Sequence, residues 1–298
     1  MNLRYFMWLM GVLLLLSSCS EKEKVARAVS TETAVLPTAT LAITSVPTTL
    51  PTVENPVIEK EEKEEETAVI TPTPTAEPAT LGGTITTTII ITASDGLPLH
   101  ATYYAPVSSS LRPAVILLHM LGANRETWTR TRLPQELVNN GRYHVLTLDM
   151  RGHGETGGAN NWPLAEEDLR LVWEWLIDQP GVDGEKTAVI GGSIGSNMAL
   201  RTGAAIEAVN TVVLLSPGLD YRGVTTADAL ENWGKRPLLI IASEEDGYAA
   251  DSSRMLAEEA QGEVQLQMYQ SAGHGTNMFN AEPELTQLIA DWLGNYLN

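Results

Sequence analysis

Cysteine and phenylalanine are nearly missing from these 298 residues: there is one of the first, Cys19, and two of the second. A single cysteine excludes an internal disulfide, a thiolate metal cluster and a Cys-x-x-Cys redox pair, so only its position can give it a role. Basic residues are scarce too, 19 Lys+Arg against 37 Asp+Glu, for a net charge of −18. Such a balance works against the phosphate neutralisation on which nucleic-acid affinity rests, and no nucleic-acid partner is expected. No apolar run reaches the ~20 residues that a membrane-spanning helix needs. No repeat with a period of about 20–50 residues is visible either, which removes solenoids and propellers.

What is present falls into three blocks. Residues 1–19 carry one charge, Arg4, then an apolar run over 5–16, then Ser17-Ser18-Cys19. Charge, short apolar stretch and small residues follow one another in the order of an export signal. Leu16-Ser17-Ser18-Cys19 resembles a bacterial lipobox, in which a peptidase cuts before a cysteine that carries a thioether-linked diacylglyceryl group. The resemblance implies a lipoprotein signal peptide over 1–18 and lipidation of Cys19. Two or more acyl chains there would anchor the exported protein stably to the extracytoplasmic face of a membrane.

The stretch 20–83 holds seven prolines, thirteen threonines and no Phe, Trp or Tyr, with an acidic knot over 59–66. It has too little apolar surface to offset the entropy of ordering, so 19–83 is expected to be a lipidated N-terminus and a disordered Thr/Pro/Glu-rich linker. Nothing spaces the knot's carboxylates around an ion, and the expectation there is a solvated, self-repelling tether.

The expected folded domain is 84–298, with 13 Lys+Arg and 26 Asp+Glu. Two β-rich stretches, 85–92 and 99–105, flank the turn Ser94-Asp95-Gly96-Leu97-Pro98. Short apolar runs at 114–119, 144–149, 188–191, 211–215, 238–242 and 264–269 then alternate with helical spacing at 128–139, 164–179, 196–205, 249–260 and 283–297. Continuous apolar runs without alternation predict strands buried on both faces. A hairpin followed by repeated β–α units predicts a doubly wound, mostly parallel sheet with chemistry at the carboxyl ends of its strands.

Candidate chemistry gathers at those ends. Gly191-Gly192-Ser193-Ile194-Gly195 is a Gly-x-Ser-x-Gly between a predicted strand and a predicted helix. The spacing suits a serine on a tight strand-to-helix turn, where neighbouring side chains must be almost absent and the helix N-terminus offers an amide to an oxyanion. A nucleophilic serine needs a base, and His274, in Ser271-Ala272-Gly273-His274-Gly275, sits between glycines in a loop after the last predicted strand. His119 and His144 lie at strand edges, His100 in an early strand and His153 in another loop. The histidine in turn needs a carboxylate. Asp246 follows the 238–242 strand on the correct side, with Glu244, Glu245 and Asp251 as competitors.

Taken together, these segments resemble the α/β-hydrolase fold family. The order Ser193, Asp246, His274 is the family's order, and residues 237–246 look like its Pro-strand-Gly-x-x-Asp segment, with Ser243 where glycine is frequent. His119-Met120-Leu121-Gly122 stands in the place of the His-Gly-x-Gly oxyanion loop, with Met120 where glycine is usual. Residues 149–154 resemble the family's Asp-x-Arg-Gly-His-Gly segment, which supports structure, so Asp149 and His153 stay outside the catalytic set. The resemblance implies a Ser193-His274-Asp246 triad, an oxyanion hole from the backbone amides of Leu121 and Ile194, and no metal or organic cofactor. The implied reaction is cleavage of a carboxylic ester, or a related acyl bond, of a small molecule through an acyl-enzyme.

Only 216–236 separates the strand at 211–215 from the next, which leaves no room for a large lid and predicts a minimal cap. Tyr221 and Trp233 are candidates to line the acyl pocket or simply to pack. Two alternatives stand beside the esterase: an aminopeptidase or amidase on the same machinery, and an inactive, surface-anchored binding domain that keeps the fold.

Overall fold

The computed structural model describes residues 79–81, 83–139 and 142–298. The expected signal peptide, Cys19 and nearly all of the expected linker lie outside the described residues.

A nine-stranded sheet forms the middle layer, in the order β1-β2-β3-β5-β4-β6-β7-β10-β11. Its first strands, β1 (Ala79–Leu81), β2 (Thr84–Thr92) and β3 (Pro98–Pro106), are antiparallel. The sheet edge thus begins at Ala79, inside the stretch expected to be linker: β1 pairs with β2 through Thr80↔Ile85. From β5 (His144–Leu148) onward all neighbours are parallel: β4 (Arg112–Leu118), β6 (Val182–Gly192), β7 (Val209–Leu215), β10 (Leu238–Ser243) and β11 (Val264–Tyr269). A small hairpin, β8 (Asp220–Tyr221) and β9 (Val224–Thr225), stands apart after β7.

The apolar runs become parallel strands because both faces are covered. In β4, Ala114, Ile116 and Leu118 enter one core cluster while Val115 and Leu117 enter the other, the two-residue period of a strand. The first cluster lies under α3 (Trp162–Ile177), α4 (Ile194–Ala205), α5 (Ala227–Trp233) and α6 (Gly247–Glu259), through residues such as Leu169, Met198, Trp233 and Leu256. The second lies under α1 (Glu126–Thr131), α2 (Leu133–Val138), α7 (Met278–Ala281) and α8 (Leu285–Leu297), through Trp128, Leu137, Met278 and Leu293. No helix among the described residues is long and apolar enough to cross a membrane.

One predicted helix breaks in two. The span 128–139 is α1 followed by α2, with Arg132 between them at φ 64°. Pro134 lacks the N–H that a continuous helix would bond to the carbonyl four residues back, and it is tolerated only because α2 restarts there. The short cap expectation holds in detail: between β7 and β10 there is only the β8–β9 hairpin and the seven-residue α5. Trp233 is packing, not pocket, being 2% exposed with its indole N–H donating to the Arg236 carbonyl at 2.8 Å. Trp173 and Trp175 are half-buried against the first cluster.

Strand order reverses around β4, whose two neighbours are β5 and β6. The crevice outside the carboxyl ends at such a switch is where open α/β sheets bind ligands. Register aligns those ends, pairing Leu118 with Gly191, Gly192 with Leu215, and Ser243 with Tyr269. The loops that follow β4, β6, β7, β10 and β11 therefore leave the sheet side by side.

Candidate active site

Ser193 links β6 to α4 at φ 55° and ψ −125°, outside the regions that L-residues ordinarily occupy. Its N–H donates to the Leu215 carbonyl at 2.8 Å, and its own carbonyl accepts the Ser196 N–H at 2.8 Å. Chain crowding explains the flanking glycines. A Cβ on Gly191 would overlap the Gly195 carbonyl, and one on Gly195 would press on the carbonyls of Leu118 and His119. Strain of this kind costs about 1–3 kcal/mol and persists only where the surroundings over-determine it. Ser193 itself is 8% exposed, at the floor of the crevice.

The structure brings His274 and Asp246 together: imidazole Nδ1 lies 2.5 Å from the Asp246 Oδ2, which places the Nδ1 proton on the carboxylate side and leaves Nε2 for the cleft. The residue after the histidine reaches the serine, since a Cβ on Gly275 would stand 3.5 Å from the Ser193 nitrogen. Among the described residues no hydrogen bond joins Ser193 Oγ to His274.

The competing carboxylates have other partners. Glu244 pairs with Arg254, as does Asp251 at 3.3 Å. Glu245 bridges the histidine loop, accepting the Gly273 N–H on Oε1 at 2.8 Å and the Ser271 hydroxyl on Oε2 at 2.5 Å. Two buried serines complete the clamp. Ser243 Oγ accepts the Ala272 N–H at 2.9 Å, and Ser216 Oγ accepts the Gly275 N–H at 2.9 Å. Sequence reasoning missed all three positioning roles. The one signal for the two serines was a hydroxyl at the end of an apolar strand, Leu215-Ser216 and Ala242-Ser243, where a buried polar group must have a partner.

On the opposite wall, the Met120 carbonyl accepts from His119 Nδ1 at 2.8 Å and from the Ala123 N–H at 3.1 Å. In a trans peptide the Leu121 N–H points the other way, and among the described residues it has no acceptor. Ile194 opens α4, so its N–H has no partner within the helix. The Met120 side chain, where the family has glycine, lies over Gly192 and Gly275 and takes a hydrogen bond on sulfur from Thr276 Oγ1 at 3.7 Å.

His119 is fully buried and accepts the Met150 N–H on Nε2 at 3.0 Å, so its proton sits on Nδ1. Burial pushes its imidazole down to about 4. The ring of His153 stands 4.9 Å from it and donates to the Arg151 carbonyl. Asp149 forms a buried ion pair with Arg125 and accepts the Arg125 and Glu155 N–H groups at 2.6 and 2.9 Å, tying the loop after β4 to the loop after β5. His144 is hydrogen-bonded to the Tyr103 hydroxyl at 2.6 Å, far from the crevice loops, and His100 lies 3.4 Å from Glu155. Among the described residues no group of three or more His, Cys, Asp or Glu side chains is arranged to hold a metal ion.

Residues 115–295 match the Alpha/beta hydrolase family. The chain belongs to that family. Its curated relatives are distant: an uncharacterized protein of Mycobacterium tuberculosis is 29% identical over 119 residues, 40% of this chain and 41% of the relative. Esterase FrsA of Photobacterium profundum is 25% identical over 165 residues, 54% of this chain and 38% of the relative. The chain thus spans less than half the length of the curated relatives it matches. Among solved structures, an acetyl xylan esterase from Paenibacillus sp. R4 superposes with a TM-score of 0.64 at 15% identity, covering 76% of this chain and 88% of that one. A thermostable carboxylesterase cloned from a metagenomic library gives 0.58 at 20% identity, covering 72% and 89%. At such identities the likeness is one of fold.

Proposed function

We propose that this member of the family is a serine hydrolase that cleaves a carboxylic ester of a small molecule. The observation that carries the reading is Ser193 on its strained turn, with His274 paired to Asp246 on the loop whose next residue, Gly275, packs beside the Ser193 nitrogen. In the proposed reaction the Ser193 oxygen attacks the acyl carbon while its proton passes to His274 Nε2. The oxyanion forms against the N–H groups of Leu121 and Ile194, and Asp246 holds the imidazolium. Collapse breaks the bond to the leaving oxygen, which takes the proton from His274. Water then repeats the sequence on the acyl-enzyme, releasing the acid and restoring Ser193. No step calls on a metal or organic cofactor. Ester chemistry, in preference to amide, is supported by the esterases among its relatives and structural neighbours.

A fluorophosphonate probe tests the nucleophile. Labelling of the parent chain, lost together with p-nitrophenyl acetate turnover in Ser193→Ala, is the expected result. Absence of labelling in a folded parent overturns the reading.

We also propose, on the sequence alone, that the chain is exported and carried on a membrane by lipid on Cys19. Incorporation of an alkynyl fatty acid in a bacterial host, abolished by Cys19→Ser, is the expected outcome.

A further inference from the structure

Three rings run in a row from the proposed chemistry to the surface. The Tyr221 ring stands edge-on to the His274 imidazole, with centroids 6.3 Å apart and planes at 86°. The Tyr248 ring stands edge-on to Tyr221 in turn, at 5.6 Å and 69°. Both tyrosines pack on Gly218, where a Cβ would lie 2.7 Å from one ring and 2.8 Å from the other, so the row is seated on the loop that follows β7. Their hydroxyls are anchored to backbone. Tyr221 donates to the Ser216 carbonyl at 3.2 Å, and burial with the nearby charge of Asp246 pushes its phenol well up, keeping that proton in place. The Tyr248 hydroxyl accepts the Asp220 N–H at 2.9 Å and donates to the Asp220 carbonyl at 3.0 Å.

Tyr248 therefore spends its polar end on the main chain, and what it offers solvent is its ring, 51% exposed. A side chain fixed at both ends loses little rotamer freedom when something stacks on it. Chemistry decides which part of an ester meets this row. His274 must hand its proton to the leaving oxygen, so the alcohol lies on the histidine side of the cleft and the acyl group on the other. The row starts at His274 and flanks the alcohol. Near the row in the chain, the carboxylates Asp220, Glu245 and Asp246 outnumber the one cation, Arg222, which favours an uncharged alcohol over a phosphorylated or carboxylated one.

We propose that Tyr248, backed by Tyr221, is the platform on which the alcohol part of the substrate stacks, and that the substrates are acyl esters of uncharged ring alcohols with a flat face. The inference rests on the serine-hydrolase reading above. A π face and the C–H face of a sugar ring share this chemistry, so the alcohol is aryl or pyranosyl.

The test measures kcat and KM of the full chain, Tyr248→Ala and Tyr248→Phe on ethyl acetate, benzyl acetate and a peracetylated methyl xyloside. In Tyr248→Ala the ratio of kcat/KM for a ring ester to that for ethyl acetate falls about tenfold, chiefly through KM, and in Tyr248→Phe it stays within about twofold. A fall confined to benzyl acetate identifies an aryl alcohol, and one confined to the xyloside a pyranosyl alcohol. Equal losses on all three esters overturn the platform. Should the alanine variant not fold, Tyr248→Leu keeps most of the volume without the π face and is scored by the same ratios. A parent that takes no fluorophosphonate on Ser193 and hydrolyses none of the esters removes the hydrolase reading and the platform with it. Labelling with unchanged ratios removes the platform alone.

Discussion

Ser216 Oγ accepts the Gly275 N–H at 2.9 Å, which fastens the loop carrying His274 to the end of the strand beside the one carrying Ser193. Ser216 is fully buried and holds φ at 53°, so one residue supplies both the acceptor and a left-handed turn. Ser216→Ala leaves a buried N–H without a partner, at a cost of about 1–3 kcal/mol. Ser216→Gly loses the same bond but relieves the backbone, and is expected to be the more stable of the two by about 1 kcal/mol. Urea unfolding of both variants checks this, and the reverse order would mean that the turn carries no strain.

Ser193 pays for its geometry in the same currency. Ser193→Gly is expected to end ester turnover and to raise the unfolding free energy by about 1 kcal/mol, since the strained φ becomes an ordinary one. A glycine variant less stable than Ser193→Ala in urea would contradict the assignment of strain.

Glu245 separates hydrogen bonding from charge. Glu245→Gln keeps an acceptor for the Gly273 N–H, whereas Glu245→Ala removes it and frees the histidine loop. Steady-state kinetics on p-nitrophenyl acetate should show kcat lowered about tenfold in the alanine variant and less than about threefold in the glutamine variant, with KM little changed in either. Equal kcat in the alanine variant and the parent would show that the loop holds its place without the bridge.

His119 makes stability depend on pH. Its folded value near 4 lies below the ordinary 6.5, so the unfolded chain binds the extra proton between those values. The stabilisation is complete above pH 6.5 and is lost as pH falls through that window toward 4, on the order of 3 kcal/mol. His119→Gln is expected to flatten this acid decline, read as a smaller difference between urea midpoints at pH 7.5 and pH 5 than in the parent. A decline of the same size in the variant would assign it to other groups, of which His144, also lowered by burial, is the first.

The parallel strands were legible in the sequence because burial on both faces writes itself as an unbroken apolar run, as in Val115–Leu118 and 238–242. The turns that carry Ser193 and His274 were legible because tight turns demand glycine neighbours. Other features depend on partners distant in the chain, and their local sequence is silent. Ala79–Leu81 becomes a strand only by lying against Thr84–Thr86, and two-residue β8 and β9 are too short to show a period. The clamp on the histidine loop is of the same kind: Ser243 meets Ala272, and Ser216 meets Gly275, only after the sheet has set its register. The break between α1 and α2 is different, since Pro134 announces it and the apolar spacing across it hides it.

The tip of the β8–β9 hairpin, Arg222-Gly223, has both residues at positive φ, 55° and 85°. Both lie exposed. It is an insertion point. Residues added at this turn would lengthen the chain next to Tyr221 while the strands beneath, and with them Ser193, Asp246 and His274, stay where they are.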